Sequence, residues 1–211
     1  MLKILLLCSL LVNFVLFQRL TTSDQRQGIL VLEVLDGDTI LLDHDVRLRL
    51  RHVDAPELEF CGGQEAKDLL TKLTKGKRVI VKEQIIDQYG RPMALLYVNN
   101  NLINLEMLKS GWVRYHSDNT SQTESIKRIA DETKKSKIGI WSSKCYQTIN
   151  PDNPKCNIKG NTDKNSSARN YYFPGCAQYE FTIVEKDLGE AWFCTEAQAK
   201  KAGFTRAATC H

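Results

Sequence analysis

Apolar and polar positions change rhythm several times along this chain. Residues 4–17 form an apolar run broken only by Cys8, Ser9 and Asn13, with Lys3 before it and Gln18 and Arg19 after it. At 14 residues the run is shorter than the roughly 20 that span a bilayer. Polar sequence follows directly, which is the shape of a secretory signal over residues 1–20. A buried core helix and an uncleaved membrane anchor are the alternatives, and no small-x-small cleavage site marks the end of the run.

From residue 28 strand and helix rhythms alternate. Residues 29–35 are apolar-rich and reach the turn Asp36-Gly37, after which residues 39–42 resume the pattern, predicting a hairpin. Val46, Leu48 and Leu50 then alternate with Arg47, Arg49 and Arg51. That period of two puts the apolar residues on one strand face and three guanidinium groups on the other. Residues 79–86 and 93–98 are further strand candidates. Ala66, Leu69, Leu70 and Leu73 recur at helical spacing ahead of Gly76, and residues 104–109 form a short helix closed by Gly111. A third helix begins at Ser121, where Ser121 and Glu124 match a capping box and Ile126, Ile129 and Ala130 supply the buried stripe. Strands first, with helices interleaved and after, predict an α+β domain over residues 27–144 built on a small barrel.

Residues 145–170 turn to Asn, Asp, Pro, Lys, Ser and Gly, the composition of a linker. Residues 171–211 regain aromatics and three cysteines, predicting a small module that needs a staple. The whole chain has 211 residues, 42% apolar and 26% charged, which excludes a wholly disordered protein. Its formal net charge of +4 permits a nucleic-acid partner without arguing for one, because phosphate binding needs clustered charge. Seven cysteines point to an oxidising compartment, and removing the signal would take Cys8 and leave an even six.

The candidate chemistry lies at turns. Asp36 and Asp38 flank Gly37, while Asp54 and Glu57 bracket Ala55-Pro56. Carboxylates from two turns, aided by a backbone carbonyl, offer the oxygen donors that a hard cation such as Ca²⁺ takes. Arg49 sits five residues before Asp54, and Arg91 follows the turn Tyr89-Gly90. A guanidinium fork matches phosphate geometry. Two arginines, a divalent cation and a free carboxylate form a set suited to a phosphodiester that gains negative charge under attack by water. His44, His52 and His116 have no Cys or Ser partner at a catalytic spacing and read as structural or surface residues.

In order and spacing, these motifs, with residues 49–57, 89–91, 104–111 and Gly139-Ile140-Trp141-Ser142, resemble those of the staphylococcal (micrococcal, thermonuclease) nuclease family over about residues 28–144. The resemblance implies a five-stranded OB-type barrel with three helices, Ca²⁺ as cofactor, and cleavage of DNA and RNA, single-stranded or unpaired favoured, to 3′-phosphate ends. It further implies that Asp38, Asp54 and the carbonyl of Ala55 hold Ca²⁺ with Asp36 in support. By the same resemblance Glu57 orients or deprotonates water, Arg49 and Arg91 bind the scissile phosphate, and Tyr89 touches the nucleotide. The sequence departs from the family pattern between Glu57 and Gln64, where a short loop contains Cys61, and near Tyr115.

The implied protein is a secreted or periplasmic monomer with no membrane partner unless its N-terminal segment is retained; the other reading is a non-catalytic nucleic-acid-binding OB-type module. In the tail, zinc would need Cys176, Cys194, Cys210 and His211 as ligands, but no C-x-x-C pair is present, so disulfides are the favoured reading. Cys145 and Cys156 are near enough in sequence to pair, although six cysteines allow 15 connectivities.

Overall fold

The computed structural model describes residues 28–164 and 166–210. The signal-peptide reading and His211 lie outside the described residues. Of those described, no helix is long and apolar enough to cross a membrane.

The expected hairpin is β1 (Ile29–Val34) and β2 (Thr39–Leu42), and β3 (Val46–Leu50) continues the meander. After β4 (Val53–Asp54) come α1 (Gly63–Thr74), β5 (Arg78–Ile86), β6 (Pro92–Val98), β7 (Asn101–Leu102), α2 (Ile103–Ser110), β8 (Arg114–Tyr115) and α3 (Thr123–Lys135). Strands β3, β2, β1, β5 and β6 are antiparallel neighbours in that order, and a parallel pairing of β3 with β6 closes them into a five-stranded mixed barrel. Closure removes the open sheet edges. The β3 alternation holds where the barrel is closed, since Leu48 and Leu50 are buried. Val46, at the strand's open start, is exposed.

Ile40, Leu48, Leu50, Leu95 and Leu96 from the strands meet Leu70, Met107, Leu108 and Ile126 from the three helices in one apolar cluster. Asn104 of α2 is the polar member of this interior. Its Oδ1 accepts from the Leu96 N–H at 2.9 Å, and its Nδ2 donates to the carbonyls of Arg51 and Ala94. One amide thus reaches backbone groups of both β3's exit and β6, beside the Arg51 N–H bond to the Ala94 carbonyl.

The third helix starts at Thr123, with Gln122 as its cap residue and no side-chain cap bond. The expected capping box does not form because Ser121 bonds across the fold instead: its N–H and hydroxyl both donate to the Glu83 carboxylate on β5.

Beyond the barrel, β9 (Tyr146–Gln147) pairs with β12 (Val184–Glu185). A four-stranded sheet follows in the order β13 (Ala191–Phe193), β10 (Ile158–Thr162), β11 (Arg169–Tyr172), β14 (Thr205–Arg206), with α4 (Glu196–Lys201) beside it. Its small core is Ile158, Tyr171, Ala199 and Phe204. Residues 145–170, linker-like in composition, therefore contain β10, an inner strand of this sheet. Local composition carries no signal of that, because the strand is held by pairing with residues far along the chain.

All six cysteines among the described residues are paired, as Cys61–Cys145, Cys156–Cys194 and Cys176–Cys210. The Cys145–Cys156 pairing is not the one formed, since proximity in sequence does not bring those two side chains together. The thiolate set needed for zinc in the tail is consumed by two of the disulfides.

Candidate active site

The β1–β2 turn carries Asp36 and Asp38 against the start of the β4–α1 loop, and Gly37 makes that contact close. A Cβ at Gly37 would lie 2.6 Å from the Cβ atoms of both Ala55 and Ala66. Only a residue without a side chain lets the turn press on the loop that bears Asp54, Ala55 and Glu57. Asp36 Oδ1 accepts from the Asp38 N–H at 3.0 Å and fixes the turn.

Register then delivers the arginine. Arg49 on β3 stands opposite Thr39 on β2, next to Asp38. Its Nη1 lies 2.6 Å from Asp38 Oδ1 and its Nη2 lies 2.7 Å from Asp54 Oδ1, so one guanidinium bridges carboxylates from two turns. Asp38 also accepts from the Thr39 hydroxyl, and its Oδ2 from the Ala55 N–H at 2.9 Å. Asp38 is 2% exposed. Burial pushes its carboxyl up to about 7 against the opposing pull of Arg49. A carboxylate this deeply placed is stabilised by positive charge in front of it, and Arg49 supplies some.

Glu57 is exposed on the same loop, and among the described residues its carboxylate takes no hydrogen bond or ion pair. Tyr89 and Arg91 occupy the tip of the β5–β6 hairpin. Asp87 shapes that tip, with Oδ1 accepting from the N–H groups of Tyr89 and Arg91 and Oδ2 accepting from Arg91 Nε at 2.7 Å. The Arg91 guanidinium lies 5.2 Å from the Tyr89 ring centroid. The parallel β3–β6 pairing sets Met93 beside Arg49, so Arg91 starts two residues away, about 7 Å along the neighbouring strand. The structure thus brings Asp36, Asp38, Arg49, Asp54 and Ala55 into direct contact. Glu57, on the same loop as Asp54 and Ala55, and Tyr89 and Arg91, on the β5–β6 turn, form no bond to that cluster.

Among the described residues, no three His, Cys, Asp or Glu side chains stand close enough together to hold a metal ion by themselves. The oxygen donors at hand are two bridged carboxylates, a supporting third and the backbone at Ala55.

Arg51, the third arginine of the alternating run, does something that the alternation alone does not foretell. The chain leaves the strand at residue 51, and Arg51 turns inward, 5% exposed. It forms a two-pronged pair with Asp118 at 2.6 and 2.7 Å and donates to the carbonyls of Glu83 and Asn119. Next to it His52 is fully buried, with Nε2 2.8 Å from the Thr120 hydroxyl and its ring stacked on Tyr115. Burial lowers the pKa of His52. Both residues tie the barrel to the segment that leads into α3.

Fold and cluster together define a small OB-type α+β barrel protein with a carboxylate–guanidinium cluster at one end. A model of the family described as staphylococcal nuclease homologue matches residues 47–143. An uncharacterized endonuclease of Haemophilus influenzae is 31% identical over 65% of this chain and 78% of its own length. One from Escherichia coli O157:H7 is 36% identical over 53% and 75%. A probable staphylococcal-like nuclease of Oryza sativa subsp. japonica is 32% identical over 64% of this chain, which spans only 34% of that protein. The chain belongs to the staphylococcal nuclease homologue family.

Proposed function

We propose that this protein is a nuclease that hydrolyses phosphodiester bonds of DNA and RNA with low sequence specificity, prefers unpaired strands, leaves 3′-phosphate ends and uses Ca²⁺. The observation that carries the reading is Arg49 bridging Asp38 and Asp54, with an unengaged Glu57 three residues on from Asp54 in the same loop. The endonuclease names of the bacterial relatives support it.

The donor set suits a hard divalent cation. Two carboxylates already accommodate one positive group between them, and the burial of Asp38 favours more positive charge at that place. Asp38, Asp54 and the Ala55 carbonyl would hold the ion, with Asp36 in support and water completing a loose shell of oxygens. When bound, Ca²⁺ supplies charge neutralisation and Lewis acidity at the phosphate.

The chain's own residues do the rest. Glu57 orients the attacking water and takes its proton as the new P–O bond forms and the bond to the 5′-oxygen breaks, the departing 5′-oxygen taking a proton from solvent water. Arg49 has five N–H donors in its guanidinium, and those not engaged with Asp38 and Asp54 meet the phosphate. Arg91 approaches from the hairpin tip, and both arginines stabilise the extra charge of the transition state. Tyr89, 73% exposed, offers a ring and a hydroxyl to the nucleotide.

The division of labour along the chain follows the same reading: a signal over residues 1–20, a nuclease domain over 27–144 and a stapled tail module over 171–211 whose sheet takes its inner strand β10 from the 145–170 stretch. Three disulfides agree with export to an oxidising compartment.

The test incubates purified protein with single-stranded DNA in Ca²⁺ and in a chelator. Cleavage to 3′-phosphate ends in Ca²⁺ alone is the expected result. Binding of the DNA without cleavage in either condition would establish a non-catalytic module instead.

A further inference from the structure

The loop that carries Glu57 is held from outside the barrel at both of its ends. At its start, Asp54 pairs in the β4–β8 ladder with Arg114. The Arg114 side chain crosses to the tail, where Nε lies 2.6 Å from Asp187 Oδ2 and Nη2 lies 3.0 Å from Glu185 Oε1. Asp187 is buried, and its Oδ1 has no hydrogen-bond partner among the described residues, so Arg114 is the cation that makes its burial tolerable.

At the loop's other end, Cys61, four residues past Glu57, is bonded to Cys145. Its N–H donates to the Lys186 carbonyl at 3.3 Å, and the Lys186 N–H donates to the Cys145 carbonyl at 2.8 Å. Between the two, the Phe60 ring lies flush against Gly189. A Cβ there would be 2.5 Å from Phe60 Cζ, and the left-handed φ of +73° favours glycine. The loop also closes on itself, with the Phe60 N–H donating to the Glu57 carbonyl at 2.9 Å.

Within the loop, then, the carboxylate of Glu57 is unengaged while the backbone on either side of it is fixed by residues 185–189 and by a disulfide. We propose that the Cys61–Cys145 disulfide and tail residues 185–189 form a clamp that positions Glu57 for attack on the phosphodiester. The clamp rests on the nuclease reading of the site. Its members, Cys61, Cys145, Arg114, Asp187 and Gly189, are positioning residues, since none belongs to the cluster that would meet the substrate. The tail thereby becomes part of the nuclease instead of an appended module. Turnover should depend on the clamp while substrate binding does not, because Arg49 and Arg91 are carried by β3 and the β5–β6 hairpin, outside it.

The experiment uses the full chain with Cys61→Ser and Cys145→Ser combined. Amide hydrogen exchange followed by mass spectrometry reads the loop, and steady-state cleavage of single-stranded DNA in Ca²⁺ reads kcat and KM separately. The expected result is faster exchange over residues 57–63 with unchanged exchange in β1–β3 and β5–β6, a kcat about tenfold lower and an unchanged KM. Gly189→Ala, which pushes on Phe60 and leaves every disulfide intact, should move both readings in the same direction and serves where the double variant does not fold. Unaltered loop exchange would overturn the clamp. Faster exchange with unaltered kcat, or a loss confined to KM, would overturn its positioning role. Wild-type protein that fails to cleave at all would be seen before any variant is made; it overturns the nuclease reading and the positioning role with it, while the exchange result still decides whether the loop is clamped.

Discussion

Arg49 on β3 and Arg51 just past its end are two residues apart, yet they meet opposite fates. Arg49 stays at the barrel's end with Asp38 and Asp54, where its charge can be shared with a phosphate. Arg51 is sealed beneath Asp118. Substituting Arg91→Ala or Glu57→Gln should lower the cleavage rate by about 10²–10³-fold with circular dichroism unchanged, because both side chains are exposed and neither supports the core. Asp118→Asn should act in the opposite way, leaving the chemistry alone and costing about 3 kcal/mol of stability in urea unfolding, since it strips a buried guanidinium of its partner. The hydrogen bond from Arg51 holds the Asp118 carboxyl below its usual range. A lowered folded-state value contributes stability above about pH 4 and loses it as pH falls through that lowered value. The variant's unfolding free energy should therefore fall less steeply than the wild type's in that acid window. In the sequence the three arginines look alike, because period-two alternation assigns faces but cannot say where a strand stops. His52, with a φ of +64°, marks that stop, and only the tertiary path makes Arg51 internal.

The elements themselves were largely readable. The β1–β2 hairpin, the β5 and β6 strands and all three barrel helices follow apolar periodicities that local burial requires. What periodicity leaves out is the polar carpentry between elements. Ser121 and Glu124 satisfy a capping pattern, but Glu83 of β5 competes for Ser121 and wins with two hydrogen bonds. Asn104 reads as an ordinary early helix residue, yet it serves the backbone of Arg51, Ala94 and Leu96. Asn104→Leu, nearly isosteric, should cost at least about 2 kcal/mol by leaving buried amide and carbonyl groups unpaired. The loss is measurable as a lower denaturation midpoint with an unchanged slope.

For the molecule as a whole, the candidate site was legible because its residues cluster in short motifs at turns, and the tail was not because its order comes from pairings across the chain. Asn, Asp, Pro and Ser dominate residues 145–170, while β10 within them is held by β11 and β13 and by Cys156–Cys194. Cys61 stands out as an oddity in a short loop until the structure joins it to Cys145, 84 residues away. Closing a loop of that length constrains the unfolded chain by about 4.5 kcal/mol, so the Cys61→Ser, Cys145→Ser protein should unfold at distinctly lower urea concentration than wild type. The central proposal is that Asp38, Asp54 and Arg49, together with Arg91 and Glu57, form a phosphodiester-hydrolysing site. The most direct test is the single-turnover cleavage rate of single-stranded DNA at saturating Ca²⁺ for wild type and Glu57→Gln, with substrate binding measured in parallel. A rate lower by about 10² or more at unchanged affinity is the predicted result, and equal rates would contradict the claim.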